Sequence, residues 1–350
     1  MAKELTQAPA TYERAGVSIE RGDAVARAAR QLARRTMRRE ILAGVGGFGA
    51  AFRVPAHYRR PVLVAATDGV GTKLRVAAMA RRHDTVGVDL VAMNVNDILT
   101  LGAEPLAFLD YFVTERLDPT VARAVLRGIA RGCREAGCAL VGGETAEHPG
   151  CFVPGEYDLA GFVIGVVEET EIVDGRRIAP GDVVIGLASS GLHSNGFSLV
   201  RDILFDRHRL SLSAVLPEVG RPLAEELLEP TRIYVRAVRA LPRRAVKGMA
   251  HITGGGIVEN LPRILPRSTA ARLRTDSWPV PGIFRALQRL GPVAPEEMFR
   301  TFNMGLGFLL VVPETELSQV LRLLRRQRVA AFPVGEIVPR RRGAARVELV

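Results

Sequence analysis

The sequence predicts an α/β (α+β) fold of two domains, each a mixed sheet with helices packed against it. Three observations carry this: a length of 350 residues, strand and helix patterns mixed in both halves, and dense glycine and proline punctuation near the middle. One core stops growing before such a length, so two are expected. The punctuation is Asp174-Gly175 followed by Pro180-Gly181-Asp182, and it places the division at residues 1–174 and 175–350. No long internal repeat is visible, which excludes a solenoid.

Residues 22–42 have helical spacing at Val25, Ala28, Ala29 and Leu32, then enter Gly44-Val45-Gly46-Gly47-Phe48-Gly49, where glycine dissolves regular structure. A buried strand is expected over 61–67, a helix over 89–101 and a strand over 106–113. Asp118 and Pro119 start a helix reaching residue 136. A short strand over 139–141 leads to Gly142-Gly143-Glu144-Thr145, and 159–167 is another strand. In the second half, strand 183–188 runs into Ser189-Ser190-Gly191-Leu192-His193-Ser194-Asn195-Gly196, and a helix follows. A helix over 223–241 and a strand over 246–252 come next. Thr253-Gly254-Gly255-Gly256 then opens a helix over 257–264. Strand 305–312, helix 314–325 and strand 332–338 complete the pattern.

Apolar residues make up 47% and charged ones 24%, the mixture of a globular protein. Residues 1–7 lack an apolar stretch and no later run suits a membrane span, so a cytoplasmic protein is expected. Cys133, Cys138 and Cys151 are odd in number and lack CxxC spacing, which argues for reduced thiols over disulfides or zinc. A net charge of +11 invites a polyanion, and a basic nucleic-acid-binding module is one reading. Only Lys3, Lys73 and Lys247 are lysines among 48 basic residues, and the arginines scatter over every predicted helix with no aromatic-interleaved patch.

Gly44, Gly46 and Gly49 match the dinucleotide spacing GxGxxG, but the run follows a helix and precedes a strand, the reverse of what that site needs. What remains is a flap of bare N–H groups at Gly46, Gly47, Phe48 and Gly49 that could cover phosphates, or a plain connection. Asp68-Gly69-Val70-Gly71-Thr72-Lys73 sits where α/β ligands gather, at the carboxyl end of a strand. It offers a carboxylate for Mg²⁺, backbone donors at Gly69 and Gly71, the Thr72 hydroxyl, and the Lys73 ammonium for a transferring phosphoryl. Asp97 and Glu144 end neighbouring elements and, with Asp68, could share a metal, or each could be a cap or turn residue. Thr253, Gly254 and Gly255 form a candidate anion nest. His193 and His251 stand beside glycine-rich turns, where an imidazole serves as acid or base or is merely structural.

These segments occur together, and in order, with Tyr12-x-x-Ala15-Gly16-Val17, Asn94-Val95-Asn96-Asp97, Leu109-Asp110-Tyr111, Pro230-Thr231-Arg232-Ile233-Tyr234-Val235 and Phe302-Asn303. From about residue 12 to residue 338 the chain resembles the phosphoribosylformylglycinamidine cyclo-ligase (aminoimidazole ribonucleotide synthetase) family. The resemblance implies ATP-dependent closure of an imidazole ring through a phosphorylated imidate. It implies Mg²⁺ on Asp68, Asp97 and Glu144, and ATP on the flap, Gly69, Gly71, Thr72, Lys73 and Thr145. The ribotide substrate would face Ser190, Gly191, His193, Ser194, Asn195, Thr253, Gly254, Gly255 and Asn303. Lys73, Asp97, His193 and His251 would be catalytic, in a homodimer whose first domains pair into a barrel. Arg30 stands where many relatives have lysine, and Met93 where they have a small residue or cysteine. The alternatives within the superfamily are thiamine-monophosphate kinase, selenophosphate synthetase and the glutamine-dependent synthetase of the preceding step. No cysteine lies near the flap, which argues against the selenophosphate type.

Overall fold

The structure is a computed structural model that describes residues 10–350, so the reading of residues 1–7 lies outside the described residues. In the first half, α1 (Ile19–Ala33) precedes the pair β1 (Ile41–Ala43) and β2 (Ala51–Phe52). Then come β3 (Pro61–Gly69), α2 (Lys73–Ala80), α3 (Val86–Leu99), β4 (Glu104–Thr114), α4 (Pro119–Ala136), β5 (Ala139–Glu147) and β6 (Tyr157–Glu168). The second half begins with β7 (Val183–Ala188), α5 (Phe197–Arg201), α6 (Leu223–Leu227), α7 (Val235–Arg239), β8 (Gly248–His251), α8 (Gly256–Asn260) and β9 (Thr269–Leu273). It ends with α9 (Gly282–Leu290), α10 (Pro295–Thr301), β10 (Leu306–Val312), α11 (Leu317–Arg326), β11 (Ala331–Pro339) and β12 (Val347–Leu349).

Two mixed sheets result, as the sequence predicts. The first has the order β3-β6-β4-β5, with β4 and β5 parallel and the other pairs antiparallel. The second has the order β12-β9-β11-β7-β10-β8, antiparallel except for β12 against β9. No described helix is long and apolar enough to cross a membrane.

Local signals account for the best-formed helix. Asp118 accepts from Thr120 N, Pro119 occupies the first turn, and Gly137 closes α4 in the left-handed region with φ of 76°. Helix α3 is central, and of its residues only Asp97 is not buried. It crosses α4 at very short range because Gly87 and Gly128 face each other. A Cβ on Gly87 would lie 2.2 Å from Val125 O, and one on Gly128 would lie 2.4 Å from Asp84 O.

Several expectations need correction. The helix expected over 22–42 ends at Ala33, and residues 41–43 pair with 51–52 so that the glycine run is the loop between two short strands. The strand expected at 139–141 continues to Glu147, since parallel pairing with β4 carries it through both glycines. Gly143 is required there because a Cβ would meet Asp110 Oδ1 at 2.4 Å. The helix expected over 223–241 is broken into α6 and α7. Pro230 lacks an N–H and disfavours helix at the residue before it. The backbone beyond bonds to α3 instead: Thr231 N donates to Asp89, Tyr234 N donates to Asn96 Oδ1, and Arg232 O accepts from Asn96 Nδ2. Helices α2, α9 and α10 and strands β9 and β12 lie where no element was expected.

Replacing Gly87 by Ala forces two helix backbones apart, so Gly87→Ala should lower stability by about 1–3 kcal/mol. Urea unfolding measures it, and an unchanged midpoint would contradict the close crossing.

Candidate functional site

Lys73 begins α2 directly after the Asp68 turn and is fully buried. Its ammonium donates to Asp89 Oδ1 at 2.9 Å, His193 O at 3.0 Å and Glu229 O at 2.7 Å. Three hydrogens are thereby used, and none is left for a phosphate. This corrects the expectation of Lys73 as a catalytic and ATP-binding group. Burial pulls the ammonium below its ordinary pKa, and Asp89 opposes that shift. Asp89, given no role in the sequence reading, also accepts from Thr231 N and Thr231 Oγ1, both at 2.7 Å. The pair therefore joins α2 and α3 to two segments of the second half.

His193 is buried in a left-handed backbone conformation with φ of 60°. Its Nε2 accepts from Ser190 N at 3.1 Å, which leaves Nδ1 as the protonated nitrogen. Burial holds this imidazole well below its ordinary pKa, and the neighbouring His251, Lys73 and Arg232 lower it further. Its accepting nitrogen is taken up in holding the loop together. Ser190 Oγ donates to Pro230 O, and Ser194 Oγ pairs with Thr231 Oγ1 at 3.0 Å. Asn303 spends its amide on Gly191 O and its carbonyl on Gly305 N. Ser190, Ser194 and Asn303 thus shape the loop around Gly191 through these bonds.

His251 differs. Its Nδ1 lies 2.8 Å from Asp97 Oδ1, and its Nε2 is buried without a partner. With Nδ1–H donated to the carboxylate, Nε2 carries a free lone pair. The pair crosses between halves, from the one unburied residue of α3 to the end of β8. Asp68 lies close by: burial raises its pKa, Asp97 raises it further, Gly69 N donates to its Oδ1, and His251 lowers it. Asp97 and His251 are in contact, and Asp68 lies within electrostatic range of both.

Glu144 stands apart from them. Register aligns Asp68, Gly161, Asp110 and Gly143 across the sheet, so Asp68 and the Gly143-Glu144 step are three strand spacings, about 14 Å, apart. Alternation then points Glu144 to the opposite face. Among the described residues no three acidic, histidine or cysteine side chains form a metal cluster, so the three-carboxylate set is not assembled within one chain.

The flap also lies away from the Asp68 turn. Gly46, Gly47, Phe48 and Gly49 roof a cleft of about 420 Å³ floored by Leu109, Asp110, Tyr111 and Glu144. Thr145 follows on β5. Phe48 is fully exposed at the tip, and Gly46, with φ of 123°, leaves room for the Arg30 guanidinium. Gly71 and Thr72 line a different cleft, of about 250 Å³, beside Tyr157 and Asp158. Thr72 Oγ1 also meets Ser198 Oγ across the halves at 3.2 Å. In the second half the Thr253-Gly254-Gly255 turn is held by Asn260, whose Nδ2 donates to Gly254 O and Gly256 O. Asn195 adjoins it, since a Cβ on Gly254 would lie 3.7 Å from Asn195 Oδ1. Asp110, in the flap cleft, is pushed up to about 7 by burial.

Residues 38–167 match the family described as AIR synthase related protein, N-terminal domain, and residues 179–348 match its C-terminal domain. A phosphoribosylformylglycinamidine cyclo-ligase of Myxococcus xanthus is 58% identical over 93% of this chain and 95% of the relative. The chain belongs to the phosphoribosylformylglycinamidine cyclo-ligase family. The family's enzyme from Bordetella avium is 55% identical over 98% of both chains. Among solved structures, a thiamine-monophosphate kinase of Stenotrophomonas maltophilia aligns with a TM-score of 0.70 at 20% identity, over 91% of this chain and 94% of that one. Hydrogenase maturation protein HypE in complex with ATP aligns with a TM-score of 0.64 at 19% identity, over 91% and 89%. These two share the fold alone with the cyclo-ligase chain.

Lys73→Met leaves Asp89 buried and unpaired, which should cost about 3–5 kcal/mol. A thermal melt measures this, and adding Asp89→Leu should restore part of the loss. Asp110 takes up its proton near pH 7 when folded and near 3.8 when unfolded. Between those values the folded state binds more protons, so its contribution is full below about 4 and is lost as pH rises through 7, amounting to about 4 kcal/mol. Asp110→Asn should remove that decline from urea midpoints compared at pH 5 and pH 8.

Proposed function

We propose that this chain closes the imidazole ring of phosphoribosylformylglycinamidine at the expense of ATP, giving 5-aminoimidazole ribonucleotide, ADP and phosphate in purine biosynthesis. The observation that carries this is 58% identity, over almost the whole length, to a relative named for that activity. The formyl amide oxygen attacks the γ-phosphoryl group, ADP leaves, and an O-phosphoryl imidate forms. The internal nitrogen then adds to the imidate carbon, phosphate departs, and the nitrogen loses a proton. This is C–N bond formation by a ligase.

The unpartnered Nε2 of His251, oriented by Asp97, is our candidate for receiving that proton. Asp68 and Asp97 fit Mg²⁺: two hard carboxylates already repel each other, and Mg²⁺ on a nucleotide takes one or two. Bound there, the ion would offset charge on the transferring phosphoryl. Asn195 with the Thr253-Gly254-Gly255 turn suits the ribotide phosphate, and the flap suits ATP. Lys73 acts as a positioning residue behind the site.

We further take residues 1–174 and 175–350 as the two functional domains. The outer face of the first sheet exposes Leu63 by 58% and Phe162 by 44%, on strands that pair with each other, which supports a homodimer formed sheet to sheet. Three free cysteines suit the cytoplasm.

Purified protein with ATP, Mg²⁺ and formylglycinamidine ribotide should yield ADP and aminoimidazole ribotide in equal amounts. Equal ADP release with thiamine monophosphate, and no imidazole, would sink the reading. Asp97→Asn should reduce kcat by about 10²–10⁴ while the melting curve is retained.

A further inference from the structure

A cleft of about 1000 Å³ lies between α4, α7 and the end of α11. Six arginines line it: Arg131 and Arg134 on α4, Arg232 before α7, Arg236 and Arg239 on α7, and Arg328 after α11. The acidic residues lining it are Glu135 and Glu229. Arg239 is engaged by Glu104 at 2.7 Å, and Glu229 by Arg221 at 3.1 Å. The other five arginines pair with no carboxylate among the described residues, and Arg232 Nε is buried with no partner at all. Like charges converging on a concave wall raise its potential and favour a multiply charged anion.

We infer that this cleft is a second anion site, taking the di- or triphosphate group of a small molecule. Guanidinium forks match phosphate oxygens two at a time, and several forks spread over one cleft suit a chain of phosphates better than a single one. The lining contains no aromatic side chain, so it offers no platform for stacked bases, and a nucleic-acid strand is disfavoured.

The cleft lies apart from Asp97 and the flap, although Ser190, on the loop expected to face the ribotide, is among its lining residues. It shares no lining residue with the cleft beneath the flap. Val88 lines it at the start of α3, whereas Asp97 lies nine residues further along, about 14 Å down the helix axis. The helices around it lie in both halves of the chain. Its floor is Thr231, which is bonded to the buried Asp89. An anion held here ties α4 to α7 and α11 and so stiffens the junction.

Calorimetric titration of the full chain with tripolyphosphate tests this directly. Arg131→Ala with Arg328→Ala removes two exposed cations that have no protein partner. It should weaken binding at least tenfold and leave ring closure unchanged. Arg236→Ala alone should give a smaller loss in the same direction. Arg341→Ala with Arg342→Ala, an equal charge change away from the cleft, should leave binding as it was. Equal binding by the cleft variant and the parent would overturn the proposal, as would equal loss in the distant control. Tighter binding of a single-stranded oligonucleotide than of tripolyphosphate would also overturn it.

Discussion

The arrangement depends on one buried ion pair. Lys73 and Asp89 expose no side-chain surface, and burial of both charges is costly unless every hydrogen bond is made. The ammonium makes three, and Asp89 Oδ1 takes three donors, counting Lys73 and both groups of Thr231. Asp89 Oδ2 has no partner. The pair draws His193 O, Glu229 O and Thr231 from the second half against α2 and α3 of the first. The pair is a polar point within an otherwise apolar junction, since one hydrophobic core runs through both halves, and its fixed hydrogen bonds favour one docking geometry.

Helix α3 transmits that geometry to the proposed site. Asp89 near its start fixes the junction, Asn96 clamps the backbone of Arg232 and Tyr234, and Asp97 emerges one residue later to meet His251. Asn94, on the same helix, donates to Asp68 O and so steadies the end of β3. A rigid helix carrying all four groups sets the spacing between the carboxylates and the imidazole better than loops could. The glycines at its crossing with α4 serve the same end by letting it lie deep in the fold.

The flap follows a different logic. Its glycines give backbone donors without side chains, its tip exposes Phe48 to solvent, and its ends are held by the short strands β1 and β2 and by Val45 and Ala50 against the core. Few buried contacts mean low local stability, which suits a segment that closes over a ligand.

Much of this was legible in the chain. Asp118, Pro119 and Gly137 announce α4 because capping is a local matter, settled within a few residues. Glycine runs at 44–49 and 253–256 announce turns for the same reason, and the ordered motifs identified the family. The sequence also singled out Lys73, Asp97 and His251 as unusual. It did not give their partners, which lie 16, 154 and 154 residues away along the chain. Lys73 read as a phosphate ligand because its neighbours form a turn; tertiary packing alone turned it inward onto Asp89. The same packing broke the 223–241 helix, where bonds to Asp89 and Asn96 replaced helical ones after Pro230. Glu144 was parted from Asp68 by strand order and alternation, which no local pattern encodes. Local chemistry is written in adjacent residues, whereas the burial of a charge and the company it keeps are decided only when distant segments meet.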